Sequence, residues 1–302
     1  MSIQEWTVET GGDRLDKYLS TVSDLSRTRV QELTKSGAVI VNGKPQKSSY
    51  KVIEGDVVKC EVPEDEPTDI LPENIPLDIL YEDEDIIVIN KPKGMVVHPA
   101  PGNYSGTLVN ALLYHCKDLS GINGVIRPGI VHRIDKDTTG CIVACKNDEA
   151  HRSIATQLET KTCHREYMAL VEGNIANEAG FIDAPIGRDK KDRQKMTVTD
   201  VNSKDAQTHF RVVERFGRYT LVDCALETGR THQIRVHMKY INHPVVGDEK
   251  YGHKCPLMNT EGQVLHAYRL TLKHPRTGKK MTFETPLPDY FEKLLNILRT
   301  QK

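Results

Sequence analysis

The chain has no long apolar run. Its uninterrupted hydrophobic stretches are short, as at Ile86 to Ile89, whereas a membrane span needs about 20 apolar residues, so no contact with a membrane is expected. The opening MSIQEWTVETGG lacks a basic segment followed by an apolar one, and no secretory signal is read there. Paired cysteine motifs are missing too. Seven cysteines, Cys60, Cys116, Cys141, Cys145, Cys163, Cys224 and Cys255, are scattered without any CxxC. That excludes a zinc ribbon and a thioredoxin-type centre and points to reduced thiols in a cytoplasmic protein. No internal repeat and no low-complexity segment is present.

Net charge is nearly absent as well, at −1 over 302 residues. Spread evenly, so little charge argues against a nucleic-acid partner, but it is not spread evenly. Residues 62–85 hold ten Asp or Glu and no Lys or Arg, and without them the −1 of the whole becomes +9 for the remainder. Regional charge is therefore the relevant quantity. With 38% hydrophobic and 27% charged residues the composition is that of a folded globular chain, long enough for two domains.

Near the N-terminus, Leu15, Tyr18, Leu19 and Val22 recur at helical spacing, with Asp13 placed to cap. Ser26 opens a second helical pattern, SRTRVQELTKS, which Gly37 stops. Alternating Val39 and Val41, the turn pair Asn42-Gly43 and the run VVKCEV then predict a small sheet. From Arg14 to Lys51 eight Lys or Arg face three Asp or Glu. The acidic stretch contains Pro63, Pro67, Pro72 and Pro76 and reads as a linker over 63–76. A second domain is expected over 77–302. Its strand-like runs are IIVIN, GIVHRI, CIVACK, EYMALVEG, YTLVDCALE, HQIRVHM, HAYRLTLK and KKMTFETP. Helical patterns interrupt them at TLVNALLYH, at NDEAHRSIATQLET, which Asn147 can cap, and at YFEKLLNILR. Strands in excess of separate helices predict an α+β fold with a mostly antiparallel sheet.

Two stretches carry chemistry. In Gly129-IVHRIDKDTT-Gly140 a strand is expected to end at His132-Arg133, followed by a polar turn with Asp135 and Asp137. Catalytic groups often sit on such loops, and Asp and Thr also favour plain turns. In LETGRTHQIRVH, Arg230, His232, Gln233, Arg235 and His237 fall within eight residues. Read as a strand, Gln233, Arg235 and His237 share one face, and Ile234 and Val236 share the other. Two histidines five apart match neither the HExxH helix nor a zinc-finger pair, so no metal is expected.

Three resemblances follow. SRTRVQELTKSGAVIVNGK resembles the S4 RNA-binding module over residues 13–62. That resemblance implies phosphate contacts from Ser26, Arg27, Arg29, Lys35 and Lys44. HRIDKDTTG resembles the catalytic motif of the RluA-type pseudouridine synthases, with Ile134 where leucine is usual. ETGRTHQIRVH, YEDEDIIVINKPKGMVVHPAPGN, IGRDKKDRQKM and CHREYMALVEG resemble further motifs of that family, in order, across about residues 77–290. The branch that these motifs resemble is the S4-containing one that acts on large-subunit ribosomal RNA. The resemblance implies an S4-type helix-plus-sheet domain followed by a mixed-sheet catalytic domain. It implies Asp135 as catalytic aspartate, Tyr167 against the target base, and Arg235 paired with Asp135. Arg133 is implied to enter the base stack. His132, Arg230 and His232, with Arg188, Arg193 and Lys195 of the basic loop, complete the implied RNA contacts.

The resemblance implies isomerisation of uridine to pseudouridine in RNA, a reaction that breaks N1–C1′, turns the uracil and joins C5 to C1′. Nothing is oxidised or hydrolysed, so no cofactor is expected. A carboxylate beside the sugar can attack C1′ or take a ribose proton. The expected partner is structured RNA, with no protein partner evident and a monomer as the default. Two other readings compete. One is an inactive RNA-binding assembly factor, against which Asp135, Tyr167 and Arg235 are all present. The other is a glycoside hydrolase using Asp135 and Asp137, although carboxylates two apart on one loop rarely straddle a sugar at the required separation.

Overall fold

The computed structural model describes residues 2–23, 25, 27–62, 70–100, 103–122 and 128–301, the side chains of residues 2, 28, 29 and 62 excepted. The chain divides into two compact units, 1–68 and 69–302. No described helix is long and apolar enough to cross a membrane.

The first unit runs β1 (Ser2–Thr7), α1 (Leu15–Val22), α2 (Arg27–Lys35), β2 (Val39–Val41), β3 (Lys44–Pro45) and β4 (Val57–Val62), with sheet order β1-β4-β2-β3. Leu15 and Leu19 of α1 and Val30 and Leu33 of α2 pack on Val39, Val41, Val58 and Cys60. Asn42 and Gly43 take φ of 50° and 78° between β2 and β3, the left-handed pair that a two-residue hairpin requires. Gly37 ends α2 at φ 83°. Asp13 does not cap α1. Arg14 occupies the cap position without a capping side-chain bond, and Asp13 lies one residue too early, pairing instead with Lys17 at 2.8 Å. The helices are joined through Asp16, a buried carboxylate that accepts from Arg14, Arg27 and Gln31 at 2.6–3.1 Å.

The second unit runs β5 (Ile79–Glu82), β6 (Ile86–Lys91), α3 (Leu108–His115), β7 (Thr139–Cys145), α4 (Asp148–Glu159), β8 (His164–Glu172), β9 (Ala179–Asp183), β10 (Ile186–Arg188), β11 (Met196–Val198), β12 (Ser203–Lys204), β13 (Gln207–Arg215), β14 (Tyr219–Leu226), α5 (Gln233–Tyr240), β15 (Leu265–Lys273), β16 (Lys280–Glu284) and α6 (Asp289–Thr300). Among the described residues, nine strands form one sheet in the order β5-β6-β7-β15-β8-β14-β13-β9, with β16 also on β15. Every described pairing in it is antiparallel except β7 with β15. Gly140 permits that close parallel approach, since a Cβ there would stand 2.2 Å from the Ala267 carbonyl oxygen. Alternation along β6 and β7 divides the core into two layers. Ile87, Ile89, Ile142 and Ala144 face α3 and α5, whereas Ile86, Val88, Cys141 and Val143 face α4. Asn147 caps α4 by accepting from the Ala150 amide at 2.9 Å. Ile70, Ile75 and Leu77, within the acidic proline-rich stretch, pack against the first of these layers.

Two strand expectations fail. Gln233–Tyr240 is a helix, not a strand. Residues 233 to 238 are all buried, and a helix buried all round shows no polar face, so alternating Ile234 and Val236 imitate strand period. Nor is GIVHRI a strand. Only Ile130 bridges to β7, at Ala144, and beyond it the His132 Nε2 accepts from the Val143 amide at 3.1 Å. A side chain thus takes the place of the ladder along this stretch of β7.

Candidate active site

Asp135 lies on the irregular segment between Ile130 and β7. Ile134, just before it, is buried in the core, and the Asp135 carbonyl accepts from the Thr138 amide at 3.1 Å. Lys91 anchors the same loop. Its buried Nζ donates to the carbonyls of Pro92, Met95 and Lys136 at 2.7, 2.9 and 3.0 Å. Burial pushes this amine down to about 7, with Asp137 and Asp135 opposing. Three carbonyls match the three donors of an ammonium, which favours the charged form.

Arg235 reaches Asp135 from α5. Its Nη1 donates to Asp135 Oδ2 at 2.9 Å, and its Nε and Nη2 donate to Asp248 at 2.6 and 2.8 Å. Helical geometry sends the neighbouring polar residues elsewhere. Gln233 and His237, four apart, both bond Thr208 Oγ1, at 3.0 and 2.8 Å, so the shared face expected for Gln233, Arg235 and His237 does not exist. His232 precedes α5 at φ 59°, a costly conformation for a non-glycine residue. It shares a 2.7 Å bond with the Tyr251 hydroxyl and places Nε2 4.0 Å from Asp135 Oδ1.

Burial pushes the Asp135 carboxyl up, while His232 when charged, Arg235 and Arg133 pull it down, and the balance lies below the usual carboxylate range. His232 itself is pushed down to about 4 by burial against the pull of Asp135, so at neutral pH the arginines hold Asp135 ionised. Tyr167, on β8, is buried in the same pocket, and burial pushes its phenol up to about 12, with the Arg165 charge opposing. It is a neutral aromatic face at physiological pH.

The remaining expected contacts divide by place. Arg133 is exposed, with Nη1 3.3 Å from His98 Nε2, and Arg230 donates Nε to the Asp205 carbonyl at 2.8 Å. Both line the pocket around Asp135. His132 is committed to β7, and burial pushes its imidazole down to about 3. Arg188, Arg193 and Lys195 sit on the hairpin between β10 and β11. Tyr251 ties that hairpin to His232, its hydroxyl oxygen accepting from the Met196 amide at 2.8 Å. In the first unit Arg27 is half exposed and bound to Asp16 at 3.1 Å, and Lys35 and Lys44 are exposed. Ser26 and the Arg29 side chain lie outside the described residues. Four contributors were not singled out from the sequence: Lys91, Arg165, Asp248 and Tyr251. Arg165 was the most accessible, two residues before Tyr167 in the REY motif.

The profile of RNA pseudouridylate synthases matches residues 85–240, and that of the S4 domain matches 13–58. A Bacillus subtilis protein named an uncharacterized RNA pseudouridine synthase, YlyB, is 58% identical over 292 residues, covering 96% of each chain. The ribosomal large subunit pseudouridine synthase D of Neisseria meningitidis serogroup A is 45% identical over 306 residues, covering 97% of this chain and 81% of that one. Among solved structures, human RNA pseudouridylate synthase domain containing 1 superposes with a TM-score of 0.56 at 25% identity, over 75% of this chain and 96% of its own. The chain belongs to the RNA pseudouridylate synthase family. It is an isomerase of uridine in RNA and carries an S4 RNA-binding domain.

Proposed function

We propose that this chain forms pseudouridine in large-subunit ribosomal RNA, with Asp135 as the catalytic carboxylate, Arg235 as its orienting partner and Tyr167 as the surface on which the target base lies. The observation that carries the reading is the 2.9 Å bond from Arg235 to Asp135, made by a guanidinium that Asp248 already grips twice. An ionised carboxylate held in one orientation acts at the ribose, where N1–C1′ breaks and C5–C1′ forms. The C5 proton leaves and N1 gains one, so the balance needs no cofactor.

The target uridine must leave its stack, at a cost of a few kcal/mol. Stacking on an aromatic ring returns roughly 1–3 kcal/mol, a role for Tyr167. Arg133, exposed at the mouth of the pocket, fills the vacated stack, and Arg230, His232 and the hairpin basic residues Arg188, Arg193 and Lys195 contact the RNA around it. His132 supports the loop from behind. The S4 module at 13–62, with Ser26, Arg27, Arg29, Lys35 and Lys44, holds neighbouring phosphates, and the acidic stretch after it joins it to the catalytic domain, whose compact unit begins at residue 69. Ribosomal RNA as substrate is supported by the names of the Neisseria meningitidis and Pseudomonas aeruginosa relatives. The protein acts as a cytoplasmic monomer. Pseudouridine mapping of ribosomal RNA from a strain lacking the protein tests the substrate. Loss of large-subunit pseudouridine is expected, and an unchanged map contradicts it.

A further inference from the structure

Arg165 is the second residue of β8, two before Tyr167, so both side chains leave the same face of the strand. It is only 8% exposed. Its buried Nε has no hydrogen-bond partner, and no described carboxylate lies within ion-pairing distance of its guanidinium. Arg235, similarly buried, is met by two carboxylates. A guanidinium withdrawn from water without a counter-charge is costly, and in a binding protein that cost marks the place a ligand's charge is to occupy.

Position narrows the ligand. Arg165 lines the pocket of Asp135 and Tyr167, and it also lines the adjoining cleft of about 750 Å³, together with Arg133, Gly229 and Arg230. It therefore stands in the wall between the two. His132 beside it is kept neutral, by burial first and then by the Arg165 charge, so it adds no competing cation. Glu227 of the cleft is already engaged by Lys161 at 2.6 Å and His209 at 2.7 Å. We propose that Arg165 holds a phosphodiester adjacent to the target uridine, fixing the RNA backbone as it passes from the catalytic pocket into the cleft. The planar fork of arginine suits two phosphate oxygens. The proposal rests on the reading of the Asp135 pocket as the uridine site.

Gly229 supplies an independent handle. A Cβ there would stand 2.4 Å from Arg165 Nη1. The arm is flexible at that end, so Gly229→Ala displaces the guanidinium without removing its charge. The probe is a fluorescein-labelled stem-loop of large-subunit ribosomal sequence whose loop phosphodiesters are replaced one at a time by neutral methylphosphonates. Affinity is read by anisotropy and pseudouridine formation by mapping. With unmodified RNA, Arg165→Gln is expected to bind about tenfold more weakly, the scale of one charged hydrogen-bonding contact. Gly229→Ala should weaken binding in the same direction, and Arg165→Lys should recover part of the loss. At one methylphosphonate position the wild type should fall to the level of Arg165→Gln, which should itself lose nothing further. Equal losses for both proteins at every position overturn the proposal. If Arg165→Gln does not fold, Gly229→Ala carries the same comparison. Position-specific coupling in affinity without any pseudouridine would sink the catalytic reading and leave the phosphate contact standing.

Discussion

Asp248 grips Arg235 at two nitrogens, 2.6 Å from Nε and 2.8 Å from Nη2, and so presents the third, Nη1, to Asp135 at 2.9 Å. The orientation of Asp135 is thus set two residues away from the reaction. Asp248 also accepts from the Lys250 and Tyr251 amides, which fixes its own position. Asp248→Asn keeps the shape and removes the charge. Misplacing a reacting group by about 1 Å can cost on the order of 10²-fold in rate, and a fall of that order in single-turnover rate is expected with RNA affinity within threefold. A wild-type rate in this variant shows that Asp248 does not position the pair.

Arg235→Lys tests the next link. A lysine can meet one carboxylate but not two in fixed directions, because its ammonium is a point charge on a flexible stem. Turnover at saturating enzyme should fall on the order of 10²-fold, while RNA affinity changes little. A mild effect would mean that charge alone suffices at this position.

Acid should act on stability before it acts on chemistry. The folded protein keeps His132, His232 and His266 neutral, pushed down by burial to about 3, 4 and 4. Their unfolded values lie near 6.5. Between about 6.5 and 4 the unfolded chain therefore binds more protons, and stability falls as pH falls. Asp135 has the opposite sign. Its lowered pKa stabilises the fold above the unfolded carboxylate value of about 3.9, and that contribution is lost only as pH drops through the folded value. Melting temperature should decline from pH 6.5 towards 4 while the single-turnover rate stays level to about pH 5. A rate that bends at about 6.5–7 would assign control of the chemistry to a group other than Asp135, a histidine or the loop-anchoring Lys91.

Removing residues 1–68, the first compact unit, should leave isomerisation intact and weaken binding to structured RNA. Each lost phosphate contact lowers the slope of log K against log salt by about 0.7–0.9. Titrations at several salt concentrations measure it, and an unchanged slope shows that this unit makes no phosphate contact.

The elements that a local pattern specifies were legible from the sequence. α3, α4 with its Asn147 cap, α6, β6, β7, β8, β14, β15 and β16 all follow from period and turn residues. The pairing of Asp135 with Arg235, 100 residues apart, was implied by motif resemblance alone and by no local pattern. What escaped depends on tertiary context. Gln233–Tyr240 is helical because every polar residue in its buried part finds a partner on another element. His132 faces inward because β7 leaves the Val143 amide without a strand partner there. Asp248 sits in a plain Gly-Asp turn, and nothing local distinguishes a turn aspartate from one that clamps an arginine.

The central claim is that Asp135 carries the isomerisation, and tritium release from RNA labelled at C5 of uridine measures it most directly, because joining C5 to C1′ expels the label. Asp135→Asn is nearly isosteric and removes the charge that Arg235 and Arg133 sustain. Under single-turnover conditions the wild type should release tritium with the strand and base retained. The variant should bind the same RNA with similar affinity and release none above background. Release by Asp135→Asn within tenfold of the wild-type rate would contradict the account.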